Sequence, residues 1–397
     1  MKLGLMLPNA NNGFIMSTNA PQYKPSHDFL KGLVQRAEHY GFEFALSLAK
    51  WRGAGGPREY WEYTLESLTL IASLAPVTER IKLIGSVGVP SIHPAVVAKM
   101  ASTIQDAADG RFMLNIVSGW NKSEYDQLGL WPGDEWYSRR YDYSTEYVQV
   151  LREFWETGES NFKGEFFQFP DPGFAWDHGM SPKSADYQDM ETFELRKLSL
   201  VPRPLQQPTP PMHQVVDGHL AIQFAAENDL GAMMWIPPTD ALKPRFELYR
   251  DKKAAKEKRD VALGEGIILV RDMFCCESKN EAKKLGGEGI VDYLRWVCHW
   301  RGLENHRHLG EELPKTQGKL DLLNVDFLDK RNLLFGTPDQ ISEQIEEMID
   351  VLNLKYLLVW SHFPGVQHEA AMRSVKLFTD EVMPRFGRPV ESRQAAQ

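Results

Sequence analysis

A chain of 397 residues with 43% hydrophobic content carries enough apolar material for one large α/β domain or two ordinary ones. Its formal charge of −9, with Lys and Arg scattered rather than grouped, gives nucleic acid and anionic membrane surfaces the wrong electrostatics. Cys275, Cys276 and Cys298 have neither disulfide-framework nor metal-site spacing, no secretory pattern accompanies the strand-like KLGLMLP, and no apolar run reaches a membrane span, so a cytoplasmic protein without a bound metal is expected.

Short apolar strands alternate with amphipathic helices almost from end to end. KLGLMLP (2–8) reads as the first strand. Ser26 can cap a helix whose apolar residues Phe29, Leu30, Leu33, Val34, Ala37 and Tyr40 recur at helical spacing, with Gly41 as its stop. FALSLA (44–49) is the second strand, YTLESLTLIASLA (63–75) the second helix and IKLIGSVGV (81–89) the third strand. Pro94 opens the next helix, which buries Val97, Met100 and Ile104. RFMLNIVSG (111–119) is the fourth strand, and its helix turns Tyr143, Tyr147, Val150, Leu151 and Phe154 inward. HQVVDG (213–218), AMMWIP (232–237), GIILVRDMF (266–274) and YLLVWSHF (356–363) complete a set of eight. Thr337 and Gln340 frame a capping box before the last strand.

Strands that are apolar throughout, separated by helices, indicate a parallel sheet covered on its outer face. Eight such units favour a closed (β/α)8 TIM barrel spanning 1–397 as a single domain. A two-halved Rossmann-type sheet fits less well, because no GxGxxG follows the first strand. Two stretches break the rhythm: the Pro- and aromatic-rich 160–211, and the charged 301–336. Connections longer than about 15 residues are commonly lids or binding loops, and both are read as long insertions covering a site.

In a parallel barrel, function gathers where strands end. The second strand ends at Ala49, Lys50, Trp51 and Arg52; the third carries Ser86 and leads to His93. The fourth offers Asn115 and Ser118, followed by Trp120 and Glu124, and its helix begins at Arg139, Arg140 and Tyr141. The fifth ends in Asp217, Gly218 and His219, the last in Ser361 and His362. Each has a structural reading too: Asn115 as a turn cap, Trp120 as rim packing, Glu124 as a solvated helix-start acid, His93 as a turn residue. No GxSxG elbow, P-loop, HExxH or carboxylate cluster with metal spacing is present. A site of amides, hydroxyls and aromatics without its own nucleophile or metal normally takes its chemistry from an organic cofactor.

The stretches NNGFIMSTNAPQY (11–23), AEHYGFEFALSLAKWRGAGG (37–56), AVVAKMASTIQDAADGRF (95–112), NIVSGWNKSEYDQLGLWPGDEW (115–136) and SRRYDYSTEYVQVLREFW (138–155) resemble the bacterial-luciferase-like flavin-dependent monooxygenases, within them the pyrimidine oxygenase branch. The resemblance implies a barrel that receives reduced FMN from a separate NAD(P)H-dependent flavin reductase and uses O2 to oxygenate a small polar or N-heteroaromatic compound, with C–N bond or ring cleavage favoured. It implies flavin contacts at Ala49, Lys50, Asn115, Glu124, Arg140 and Tyr141. Ser86 stands where relatives carry a threonine that, with Asn115, positions oxygen. Trp120 would exclude water, and Glu124 would accept a hydrogen bond from a ring N–H. Where relatives hold the FMN phosphate on a small Ser-containing turn, this chain reads VVDGH (215–219): Gly218 and His219 can still donate, but Asp217 opposes an anion. A homo-oligomer is implied as well. An alkanesulfonate- or sulfone-type flavin monooxygenase, a deazaflavin-dependent dehydrogenase and a non-catalytic flavin-binding protein remain alternatives.

Overall fold

The computed structural model describes residues 1–14, 17, 23–53, 59, 61–313, 320–329, 331–362 and 365–386. Parts of the motif-bearing stretches 11–23 and 37–56, residues 314–319 and 330 of the second excursion, and Phe363 at the end of the last expected strand lie outside them. The strands are β1 (Lys2–Leu7), β2 (Phe44–Ser47), β3 (Lys82–Gly88), β4 (Phe112–Val117), β5 (Glu159–Ser160), β6 (Leu198–Ser199), β7 (Met212–Val215), β8 (Gly231–Met234), β9 (Ile267–Cys275), β10 (Leu333–Gly336) and β11 (Tyr356–Trp360).

The eight expected strands are β1–β4, β7–β9 and β11, and they close into the (β/α)8 barrel. Every pairing among them is parallel: β1 to β2, β2 to β3, β3 to β4, β4 to β7, β7 to β8, β8 to β9, β9 to β11, and β11 back to β1. Alternation along the strands divides the core into two apolar sets. Leu3, Leu5, Ala45, Leu83, Leu114, Leu269 and Leu357 face the helices. Met6, Phe44, Leu46, Ile84, Met233, Ile268 and Leu358 fill the barrel. Gly4 is required there, since a Cβ would run into the Phe44 ring.

The helices start where their caps dictate. Ser26 accepts a hydrogen bond from the Phe29 N–H, and Leu30, Leu33, Val34 and Ala37 of the helix His27–His39 are buried. Truncating a leucine such as Leu30 would cost about 2–5 kcal/mol. Thr337 and Gln340 complete the capping box of the helix Pro338–Leu352. The helix expected from residue 63 begins only at Ser67, capped by the Glu66 carboxylate. Residues 63–65 stay extended because the Tyr63 carbonyl accepts from the Asn11 N–H and the Leu65 N–H donates to the Asn9 carbonyl.

Within 301–336, the short run LLFG forms β10, which pairs with β9 at Asp272–Cys275 outside the ring of eight. The segment 160–211 holds the antiparallel β5–β6 pair and isolated bridges such as Ala175–Glu194. The Glu146 carboxylate accepts from the N–H groups of Glu165, Phe166 and Phe167, and Arg139 forms a two-bonded pair with Glu165, which seats this segment on the helix Trp136–Thr157. Among the described residues no helix is long and apolar enough to cross a membrane.

Candidate active site

Strands β3 and β4 pair with Ser86 opposite Asn115, both turned into the barrel and fully buried. The Ser47 carbonyl accepts from Ser67 Oγ at 2.9 Å and Ser86 Oγ at 2.6 Å. A carbonyl only accepts, so the single Ser86 hydroxyl hydrogen is spent on Ser47. Asn115 must therefore turn its NH2 group to Ser86 Oγ, 2.9 Å away, which leaves Asn115 Oδ1 buried with no partner. This chain of hydrogen bonds fixes one orientation of the amide.

The end of β2 is stapled by Asn9, whose Nδ2 donates to the carbonyls of Leu48 and Leu65 while its Oδ1 accepts from the Leu48 N–H. Half-buried Ala49 and buried Lys50 follow. Glu124 comes from the short helix Lys122–Asp126 after β4. That helix can approach because Gly88 has no side chain; a Cβ there would collide with the Tyr125 hydroxyl. Glu124 Oε2 lies 2.5 Å from Lys50 Nζ, and Oε1 accepts from the Trp51 N–H at 2.7 Å. The pair is buried, with 6% and 5% of the side chains exposed. Burial pulls the Lys50 pKa below its ordinary value, partly offset by Glu124. The ammonium also sits 3.8 Å from the centre of the Trp61 ring and 5.5 Å from that of Trp120, whose 46% exposure marks the open side.

The far wall is one that strand-end reasoning missed. Val215, inward at the end of β7, keeps 41% of its surface open, although its neighbours Gln214 and Val216 are buried. Past β8, Trp235 stacks on Tyr293 at 5.5 Å, approaches Trp360 of β11 at 5.5 Å, and donates from Nε1 to Asp272 Oδ2 at 2.9 Å. Trp296 joins this wall to Trp61, the ring centres being 5.0 Å apart. Asp272 alternates with Arg271 on β9: Asp272 follows Ile268 and Val270 into the barrel, while the Arg271 guanidinium donates to the carbonyls of Trp235 and Pro237. Burial pushes the Asp272 carboxyl up to about 7 and holds Arg271 down at about 10. A two-residue step past Met233, Val270 and Leu358 was the signal available for Trp235, Asp272 and Trp360.

Arg140 and Tyr141 stand together on the helix Trp136–Thr157, with the guanidinium 4.8 Å from the Tyr141 ring centre and bonded to the Tyr137 carbonyl. Tyr141 meets Phe224 at 5.2 Å and Thr145 accepts from Asn228, so this helix packs beside His219–Glu227 and runs in the same direction. Gly218 caps the second helix without any side-chain bond, and a Cβ there would meet open space; His219 is exposed. Asp217 has Arg245 beside it, donating to its carbonyl at 2.7 Å and attracted to its carboxylate, so the expected opposition to an anion is moderated. The other strand-end residues have structural surroundings. His362 is buried against Phe29 and His368, Ser118 bonds Gln214, and His93 packs on Phe167 and Phe169.

The family model for luciferase-like monooxygenases matches residues 1–352. The chain belongs to the luciferase-like monooxygenase family. A pyrimidine monooxygenase, RutA, of Bradyrhizobium sp. strain BTAi1 is 59% identical over 171 residues, 43% of this chain and 48% of that protein. The chain thus matches about half the length of its curated relatives. Two solved structures share the fold. The monooxygenase RslO1 from Streptomyces bottropensis has a TM-score of 0.71 at 20% identity, covering 98% of this chain and 100% of its own. The oxygenating constituent of 3,6-diketocamphane monooxygenase from Pseudomonas putida, in complex with FMN, has a TM-score of 0.71 at 18% identity, covering 97% and 98%.

Proposed function

We propose that this chain is a two-component monooxygenase that takes reduced FMN from an NAD(P)H-dependent reductase and oxygenates a small polar N-heteroaromatic compound of the pyrimidine type, with C–N bond or ring cleavage. The observation that carries the reading is Asn115. A fully buried amide with an unpaired carbonyl oxygen at a barrel mouth is a ready hydrogen-bonding edge for a planar polar ring.

The residues present fit the flavin. Asn115 and the backbone at Ala49–Lys50 offer hydrogen-bonding groups to the ring system. Arg140, Tyr141 and the open helix start at Gly218–His219 suit a phosphate, through a guanidinium, a hydroxyl and backbone N–H groups. Bound there, the reduced flavin would supply the electrons that activate O2. The protein's own contribution is positioning and exclusion of water. Ser86 holds the Asn115 amide in one orientation, Glu124 neutralises and aims Lys50, and Trp61 and Trp120 wall the ammonium from solvent.

Anaerobic titration with reduced and oxidised FMN, followed by admission of O2, tests the reading. Preferential binding of reduced FMN and substrate-dependent incorporation of one atom of labelled O2 are expected. Equal binding of both redox forms without oxygen uptake would sink it.

A further inference from the structure

The wall opposite Asn115 carries polar groups that none of these roles uses. Asp272 is fully buried, and its Oδ2 accepts from Trp235 Nε1 at 2.9 Å and Asn332 Nδ2 at 3.4 Å, while Oδ1 has no partner. On the adjoining strand, Trp360 lies opposite Asp272 in register, and its indole N–H is also buried and unpaired. Both side chains follow the inward-facing set of their strands, beside the stacked Trp235 and Tyr293 rings. A buried polar atom left unpaired costs about 1–3 kcal/mol, so two neighbouring ones call for a partner.

We propose that Asp272 and Trp360 are the substrate-reading groups of this site: in its protonated form Asp272 donates from Oδ1, and together with the Trp360 N–H it holds a ring carbonyl oxygen of a lactam-type heterocycle lying against the Trp235–Tyr293 wall. This rests on the oxygenase reading of the same barrel mouth. The proton belongs on Oδ1 because Oδ2 already accepts two hydrogen bonds. Two donors converging on one oxygen select carbonyl-bearing rings and leave carbonyl-free ones poorly held.

Burial holds the proton on Asp272, while the charge of Arg271 pulls the other way. Arg271 on the same strand is turned to the helix side and bonded to backbone carbonyls. Behind Asn332, His306 is kept neutral by burial at about 4, and Arg331 is paired with Glu311. Tyr293 on the neighbouring helix presents its ring to Trp235, and across the mouth Lys50 is matched by Glu124. The Asp272 carboxyl is held up to about 7, so the donor is lost as pH rises past that value.

The test is anaerobic binding of uracil, with unsubstituted pyrimidine as the carbonyl-free probe, to the full chain loaded with reduced FMN. Uracil is expected to bind the wild type at pH 6 at least tenfold more tightly than pyrimidine, weakening about tenfold per pH unit above 7. Asp272→Asn, which keeps an N–H donor without a titrating proton, should bind uracil independently of pH, and Asp272→Ala should lose at least tenfold. The affinity for reduced FMN should be the same in all three. Unchanged uracil binding in Asp272→Ala, a wild-type pH profile in Asp272→Asn, or no uracil binding to the FMN-loaded wild type would each overturn the assignment. Failure of the oxygenase reading registers separately, as absent reduced-FMN binding or oxygen uptake in the wild type.

Discussion

Lys50 Nζ stands 2.5 Å from Glu124 Oε2, a buried ion pair joining the end of β2 to the short helix after β4. Breaking one side of such a pair leaves an uncompensated charge and typically costs about 3–5 kcal/mol, whereas replacing both with apolar groups is far better tolerated. Glu124→Gln is therefore expected to lower stability strongly, and Lys50→Met with Glu124→Leu to recover most of it. Denaturant unfolding of the two proteins checks this, and equal losses would refute the coupling.

The Ser86–Asn115 bond gives a graded expectation for turnover. Asn115→Ala should abolish coupled oxygenation while thermal unfolding stays close to wild type. Ser86→Ala frees the amide to rotate and should lower kcat/KM roughly tenfold, the value of one ordinary hydrogen bond. Ser86→Thr keeps the hydroxyl and should stay within a few-fold. Product yield per NADH consumed, measured with a flavin reductase present, ranks the three.

On the proposed placement of the flavin phosphate, Arg140→Ala should weaken FMN binding by about 1.5–3 kcal/mol and reduce its salt dependence, because a charge-assisted contact would be removed. Riboflavin, which has no phosphate, should bind the variant and the wild type alike. Isothermal titration with both ligands decides it.

Asp272 also predicts a pH dependence of folding. Its carboxyl is raised from 3.8 to about 7 in the folded protein, so between those values the folded state holds a proton that the unfolded state has released. Stability contributed by this group is therefore present at low pH, falls as pH rises from about 4 to about 7, and levels off beyond. Asp272→Asn should raise stability at pH 8 by on the order of 2–4 kcal/mol and change it little at pH 4. Melting temperatures across that range, without flavin, are the measurement.

Much of the architecture was legible before folding. Ser26 and the Thr337–Gln340 box mark helix starts through local hydrogen bonds, and each begins a helix in the structure. The start at residue 63 was misread because what holds 63–65 extended is a long-range pairing with Asn9 and Asn11 that local periodicity does not reveal. The site was legible on one wall only. Ser86 and Asn115 are polar residues set inside the apolar runs of β3 and β4, and Lys50 and Glu124 come soon after the ends of β2 and β4.

The amino-acid order by itself determined the eight strand–helix units, and hence a parallel barrel whose chemistry lies at the strand ends. It could not say which of Arg271 and Asp272 faces inward. In parallel strands buried on both faces, no polar period separates the two sides. Closure of the ring through β8–β9 and β9–β11 decided that, turning Asp272 and Trp360 into the barrel beside Trp235 and leaving Arg271 among the backbone carbonyls outside.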